Sequence, residues 1–474
     1  MSPSSQPMQF GSLPLEVLQT ILRLVPRDSL VPASLVCKTW RSITLPILYE
    51  SLGFPRQVDE NERQTEFFRR IIDESENEDE KGYTFRLSSC VKRLRIESTM
   101  DEQGLEFFSS AVVELKNLEH LGWTVSCLQE VEWYATLVLL CQELPKLQSL
   151  SLTMAQNDIP LGDLDECVAF TNLRELSITF DGLTGYEDPD DELPHTIVQL
   201  IRGARNIESL CLKFEEDDEN GAAPWGSIDL FSELASEHFP NLRTLHIYSQ
   251  HLVPIDNYSG PEFRQFLQNH SQLEKIHLLT GGYDNCAKFL NPPPLIVTPT
   301  DMEKMMPSIR HFAGPGLLVG ALLKSKLAKQ IELLEFHEPA TVELGLLSDL
   351  IPELDSSNLP LSRLKGLVIF TSGAEEVSEW EIVLNALSKL ATRMPVLQEL
   401  LLCPSEKPSP EALDGLLHIL DHLLHLRRLV IHAQGYPIAW FRDDVTQRFY
   451  QRAKGLCPLL DTENTGDPVF HMRI

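Results

Sequence analysis

One short pattern recurs twelve times between Val91 and Ile431: an aliphatic residue, two others, an aliphatic or aromatic, one other, an aliphatic or aromatic, with Gly314 the one departure at the last position. It reads VKRLRI at 91–96, LEHLGW at 118–123, LQSLSL at 147–152, LRELSI at 173–178, IESLCL at 207–212 and LRTLHI at 242–247. It continues as LEKIHL at 273–278, IRHFAG at 309–314, IELLEF at 331–336, LKGLVI at 364–369, LQELLL at 397–402 and LRRLVI at 426–431. Successive starts lie between 22 (309 to 331) and 36 (273 to 309) residues apart. Recurrence at such a period predicts a solenoid, because one unit cannot bury its apolar face alone and must stack on its neighbours. A stack of this kind offers a long concave surface rather than an enclosed pocket, so the pattern points to a binding protein.

The bulk properties narrow the class further. A length of 474 residues would ordinarily suggest about three domains of ~150 residues, but a repeat array grows in one dimension without splitting. A hydrophobic content of 43% is that of a soluble protein able to build a core. A net charge of −29 argues against nucleic-acid backbone as a partner, since that ligand needs clustered Lys and Arg. The acid falls in runs at 73–80, 187–192 and 215–219, which read as solvated tips between repeats or as a lure for a basic partner. Nine cysteines, with no C-x-x-C pair and with Cys37, Cys211 and Cys403 in or beside apolar elements, suggest free thiols in a reducing compartment. The opening MSPSSQPMQFGS has no basic or apolar leader region, and no uncharged apolar run approaches the ~18 residues of a membrane span. A cytoplasmic or nuclear location is expected, with no membrane and no nucleic acid among the partners.

Chemistry of catalytic type finds little support. His418, His422 and His425 in HILDHLLH are spaced to share one helix face, as zinc ligands would, but no Glu stands where a metal hydrolase keeps its base. Gly281-Gly282 and Gly314-Pro315-Gly316 read as turns and lack a phosphate-cradling framework. No catalytic residue, cofactor or metal is assigned, and a non-catalytic role is expected.

The first fifty residues are a different object from the repeats. Leu13–Leu52 reads as three short helices. Ser12 caps the first, with Pro14 in its opening turn and Leu15, Leu18, Ile21, Leu22 and Val25 along one stripe until Pro26. Asp28 caps the second, with Leu30, Leu35 and Val36; the third runs from Lys38 to Thr44 with Trp40 and Ile43, before Pro46 interrupts. Forty residues cannot bury that much apolar surface alone, so a partner-binding face is expected.

That segment resembles an F-box. It carries the opening Leu13-Pro14, the Ile21-Leu22 pair, Pro26 before Asp28, Leu30, and the closing Val36-Cys37 with Trp40-Arg41. The resemblance implies docking on the Skp-type adaptor of a Skp–cullin–F-box ubiquitin ligase, and through it on a cullin. The adaptor contacts would come from Leu13, Pro14, Leu18, Ile21, Leu22, Leu30, Leu35, Val36 and Trp40. An N-terminal helical cap for the solenoid is the alternative.

The array from Val91 onward resembles the strand portions of leucine-rich repeats. The expected fold is therefore α/β: a three-helix F-box followed by a leucine-rich-repeat solenoid with parallel concave strands and convex helices. The usual Asn or Cys eight residues after each start is missing, with Thr99, Ser126 and Ala155 standing there in successive units, so the turns must satisfy their backbone otherwise. The expected organisation is a disordered tail over 1–11, the F-box over 12–52, a spacer over 53–88 with a capping helix Glu62–Glu74, the solenoid over 89–435 and a C-terminal cap or tail over 436–474. The prolines in PPPLIVTPT at 292–300 suggest a bend, insertion or break near 291–316.

Strand alternation turns positions 1, 4 and 6 of each unit inward and positions 3, 5 and 7 to the concave side. Leu150 and Leu176 then point in, and Ser151 and Ser177 out. The concave face starts small and polar and becomes apolar toward the C-terminus, where Val368, Phe370, Leu401 and Val430 are neighbours on successive strands. These four are the candidate target-binding residues, unless the segment from Tyr436 onward, with Trp440, Phe441, Phe449, Tyr450 and Phe470, covers them. The F-box resemblance implies a substrate receptor for an unidentified protein target; a leucine-rich scaffold without a link to ubiquitination is the alternative.

Overall fold

The computed structural model describes residues 13–56, 60–76, 85–98, 100–126, 132–155, 169–181, 195–215, 227–249, 261–280, 297–314, 316–337, 347, 351, 359–371, 378–432 and 444–461. The chain divides into two units, Met1–Ala155 with Phe170–Leu173, and Gln156–Ala169 with Arg174–Ile474.

The first unit opens with α1 (Leu15–Arg23), α2 (Arg27–Ser34) and α3 (Lys38–Tyr49). Pro14 and Pro26 stand at the N-caps of α1 and α2, each with φ −54°, a value proline fixes in advance for helix entry. Cys37 begins α3, its Sγ accepting from the Trp40 amide at 3.5 Å. Leu18, Leu22, Leu30 and Ile43 fill the centre of this bundle, with Leu13, Val25, Ala33, Trp40, Ile47 and Leu48 packed around them. Two local expectations change. Asp28 lies in the first turn of α2 rather than at its cap, and Ser12 lies outside the described residues. Helix α3 does not stop before Pro46 but continues to Tyr49. Proline removes one intrahelical bond there, while Ile43, Ile47 and Leu48 hold the helix from both sides through the core.

After the bundle α3 leads directly into a strand. β1 (Ser51–Phe54) pairs parallel with β2 (Arg93–Ile96), Ser51 opposite Arg93 and Phe54 opposite Ile96. The Glu50 carbonyl accepts from both Lys92 and Arg93 amides at 2.9 Å, and the Lys92 ammonium lies 3.1 Å from the Glu50 carboxylate. β3 (His120–Ser126) and β4 (Ser149–Ala155) extend the parallel order β1-β2-β3-β4. Helix α4 (Glu60–Glu76) is longer than expected and buries Phe68 and Ile71 completely, with the Phe68 ring 5.2 Å from Phe108 of α5 (Glu102–Val112). The Phe108 ring in turn meets Trp123 of β3 at 5.2 Å.

The second unit contains nine parallel strands among its described residues: β5 (Glu175–Asp181), β6 (Ser209–Glu215), β7 (Thr244–Ser249), β8 (Lys275–Thr280), β9 (His311–Gly314), β10 (Leu333–His337), β11 (Gly366–Phe370), β12 (Glu399–Cys403) and β13 (Arg428–Ile431). Each pairs with the next in chain order. The expected break near 291–316 does not interrupt this sheet: β8 pairs with β9 and β9 with β10. The proline run itself, up to 296, lies outside the described residues. Helices His195–Gly203, Ser227–Leu234, Pro261–Asn269, Glu379–Ala391 and Pro410–Leu420 fall between strands.

The repeat period works at the residue level as the pattern demands. Leu176, Leu210, Leu245, Ile276, Phe312, Leu334, Leu367, Leu400 and Leu429 occupy position 4 of successive units, and each is at most 2% exposed. Carbonyls left open between units are bound by amide side chains just before the strands. In the first unit Asn117 donates to Ser89 at 2.8 Å and Asn172 to Pro145 at 2.7 Å. In the second, Gln272 donates to Phe239 at 2.9 Å and Gln330 to Pro307 at 2.8 Å. Position 2 alternates in charge along β5–β11, giving Arg174–Glu208, Arg243–Glu274, Arg310–Glu332 and Lys365–Glu332 pairs at 3.7, 2.7, 3.7 and 2.7 Å.

Candidate functional sites

Two surfaces stand out, one in each unit. In the first, the helical bundle leaves large apolar side chains in water. Leu35 is 70% exposed, Val36 65%, Leu24 82%, and Ile21, Leu15, Val17 and Val31 are exposed with them. So dense a set of uncovered aliphatics on forty residues makes this segment a candidate docking face. The residues expected to make adaptor contacts separate into two groups. Ile21, Leu35, Val36 and Pro14 are exposed. Leu18, Leu22 and Leu30 are buried and Leu13 and Trp40 half-buried, building the bundle that carries the face. Leu15, Val17, Leu24 and Val31 belong to the surface and were not singled out from the sequence as contacts. Their helical spacing from Leu18 and Leu22 was visible, but which stripe faces inward depends on how three helices pack.

In the second unit, the outward face of the sheet carries one row at position 5: Ser177, Cys211, His246, His277, Ala313, Glu335, Val368, Leu401 and Val430, each opposite the next. The four candidate target-binding residues do come together, but not as an open patch. Val368, Leu401 and Val430 are 1%, 6% and 2% exposed and form a cluster with Cys403, against which the half-buried Phe370 packs. These aliphatics are thus buried rather than facing water. The cover expected from Tyr436 onward falls partly at 433–443 and 462–474, outside the described residues, while Phe449 and Tyr450 are buried in helix Asp444–Leu456.

Polar groups occupy the neighbouring strands. The His246 and His277 rings stack at 4.2 Å with 12° between planes. Burial pushes the His246 imidazole down to about 3, with the charges of His277 and Lys275 adding to it, and burial lowers His277 likewise. On β10, His337 Nε2 lies 3.4 Å from the Glu335 carboxylate, and its ring stacks on Phe370 at 4.5 Å. Burial pushes the Glu335 carboxyl up, but the His337 hydrogen bond and the charges of His277, His337 and His246 outweigh it and hold the group below the ordinary carboxylate range. The Cys403 thiol is pushed up to about 12 by burial and by the Glu335 charge.

The histidines of HILDHLLH do not share a helix face. The helix ends at Leu420, and His418, His422 and His425 are all exposed. Among the described residues no group of three or more His, Cys, Asp or Glu side chains is placed to hold a metal ion. No helix among them is long and apolar enough to cross a membrane.

Residues 10–55 match the F-box-like family model. No curated protein sequence matches the chain. Among solved structures, the crystal structure of a TLR13–ssRNA13 complex is similar at 14% identity and TM-score 0.31, covering 72% of this chain. This chain spans 39% of that one. The chain thus carries an F-box-like helical domain followed by the parallel strands and helices of a repeat solenoid. An F-box-like domain suggests attachment to a ubiquitin ligase, F-box proteins being generally non-catalytic, and a repeat fold suggests protein binding.

Proposed function

We propose that the chain is the substrate receptor of a Skp–cullin–F-box ubiquitin ligase. The exposed aliphatic face of α1–α3, which includes Leu35 and Val36, docks on a Skp-type adaptor and through it on a cullin. The strand face of the second unit around Val368, Phe370, Leu401 and Val430 engages the target, Phe370 being its most accessible member. The observation that carries this reading is the coincidence of an F-box-like match at 10–55 with uncovered leucine and valine side chains on that same segment. The chain itself performs no bond chemistry in this role. It holds a target near the transferring enzyme, and proximity of this kind lowers the barrier by removing the entropy of encounter.

Proximity labelling in cells expressing the full chain tests the division of labour. Leu35→Ser with Val36→Ser is expected to remove adaptor and cullin from the labelled set and leave targets. Phe370→Ala is expected to remove targets and leave the adaptor. Loss of both sets in either variant, with the fold intact, would contradict it.

A further inference from the structure

The hydrogen bonds that join one repeat to the next begin before the repeats do. Between units, the carbonyl at position 2 accepts from the amides at positions 2 and 3 of the following unit. Lys92 accepts from Glu119 and His120 at 2.8 and 3.0 Å, and Glu119 from Gln148 and Ser149 at 2.8 and 3.1 Å. The Glu50 carbonyl makes the same double contact with Lys92 and Arg93. Glu50 therefore holds position 2 of a unit that precedes the array, and Ser51–Phe54 is its strand. Yet Glu50 directly follows α3, whose Leu48 packs against the core of the helical bundle. The stretch Leu48–Ser51 thus belongs to bundle and solenoid at once.

Arg27 of α2 closes this junction. Its Nη2 donates to the Leu48 carbonyl at 2.9 Å and to the Ser51 carbonyl at 2.7 Å. Alternation along the strand turns the Glu50 and Phe54 carbonyls toward β2 and the Ser51 carbonyl toward the free edge, where the bundle supplies its donor. A repeat array needs its end strand covered, since an open edge leaves backbone groups unpaired and a terminal unit has a neighbour on one side only. The Phe54 ring meets Phe67 and Phe68 of α4 at 5.4 and 6.4 Å, and Phe68 leads on to Phe108. A strand of four residues is too short to keep its place alone, so β1 passes the state of the bundle on to β2.

We infer that the helical bundle is also the N-terminal cap of the solenoid: bundle, β1 and β2 open and close as one cooperative unit, and a protein docked on the bundle stabilises the first repeats. The docking half rests on the adaptor reading above; the capping half does not. A ligand that binds only the closed form lowers the open population in proportion to its concentration over Kd, and the coupling is reciprocal. The adaptor thereby firms the first repeats, and fraying of those repeats weakens the adaptor site. Docking motif and solenoid cap are then one structure.

Hydrogen exchange of the full chain, read by mass spectrometry on peptides spanning 91–98, tests this, with β12 of the other unit as reference. Leu22→Ala hollows the bundle core from α1 and should speed exchange at 91–98 about 30-fold or more, leaving β12 unchanged. A variant whose bundle unfolds altogether carries the same expectation at 91–98, so loss of the bundle still decides. Arg27→Ala should speed exchange there about 10-fold, the scale of one charged hydrogen bond. A purified Skp-type adaptor at about 100 times its Kd should slow it about 100-fold. Exchange at 91–98 that ignores Leu22→Ala and Arg27→Ala, or adaptor protection confined to 15–49, would overturn the inference. Absence of adaptor binding, with 91–98 still answering to Leu22→Ala, would remove the receptor reading and leave the cap established.

Discussion

His270 shows how one side chain can tie two repeats together and fix their response to acid. It is fully buried; Nδ1 donates to the Phe266 carbonyl at 2.6 Å and Nε2 accepts from the Phe239 amide at 2.9 Å. Protonation would set an N–H against the Phe239 N–H, and burial lowers its pKa from 6.5. A histidine with a depressed folded pKa contributes stability that is present above its unfolded value and lost as pH falls below it. Melting temperature should therefore drop as pH is lowered from ~7 to ~5, with His246 and His277 adding in the same sense. His270→Phe should be less stable at neutral pH and show a shallower acid decline; an equally steep decline would place the acid response elsewhere. Nothing in the sequence around His270 marks it, because its role depends on a neighbouring repeat 31 positions back. The outward placement of His246, His277 and Glu335 was legible from strand alternation, but their stacking and burial were not, as these depend on what lies across the sheet.

At the scale of elements, register makes the sharpest demand. Leu176 is 1% exposed and Ser177 half-buried on the opposite face. Leu176→Ala should destabilise by ~2–5 kcal/mol, and Ser177→Ala should stay within ~0.5 kcal/mol of neutral. Equal shifts in denaturation midpoint would show the faces to be assigned wrongly. Gln272→Ala, which frees the Phe239 carbonyl, should cost ~1–3 kcal/mol if that acceptor stays dry. Every strand from β2 to β13 was readable because its aliphatic spacing repeats. Strand β1 was not, since Leu52 and Phe54 keep the spacing of positions 4 and 6 but Tyr49 stands where the pattern starts on an aliphatic residue. Pro46 misled in the other direction, where tertiary packing carries a helix through a residue that breaks isolated ones. The amide side chains that bridge repeats, Asn117, Asn172, Gln272 and Gln330, stand one residue before their patterns instead of eight after the start, so a search at the customary position misses them.

Across the whole molecule, one surface of the first unit is left unfinished. The core of the helical bundle is closed by Leu18, Leu22, Leu30 and Ile43, yet Leu35 and Val36 remain in water. These two can be changed with little effect on folding, because neither packs in that core. The most direct test is titration calorimetry of the purified full chain against a purified Skp-type adaptor. Tight binding is predicted for the native chain, and a loss of about 100-fold or more for Leu35→Ser with Val36→Ser at unchanged melting temperature. No measurable binding by the native chain, or undiminished binding by the double variant, would contradict the assignment of this face to the adaptor.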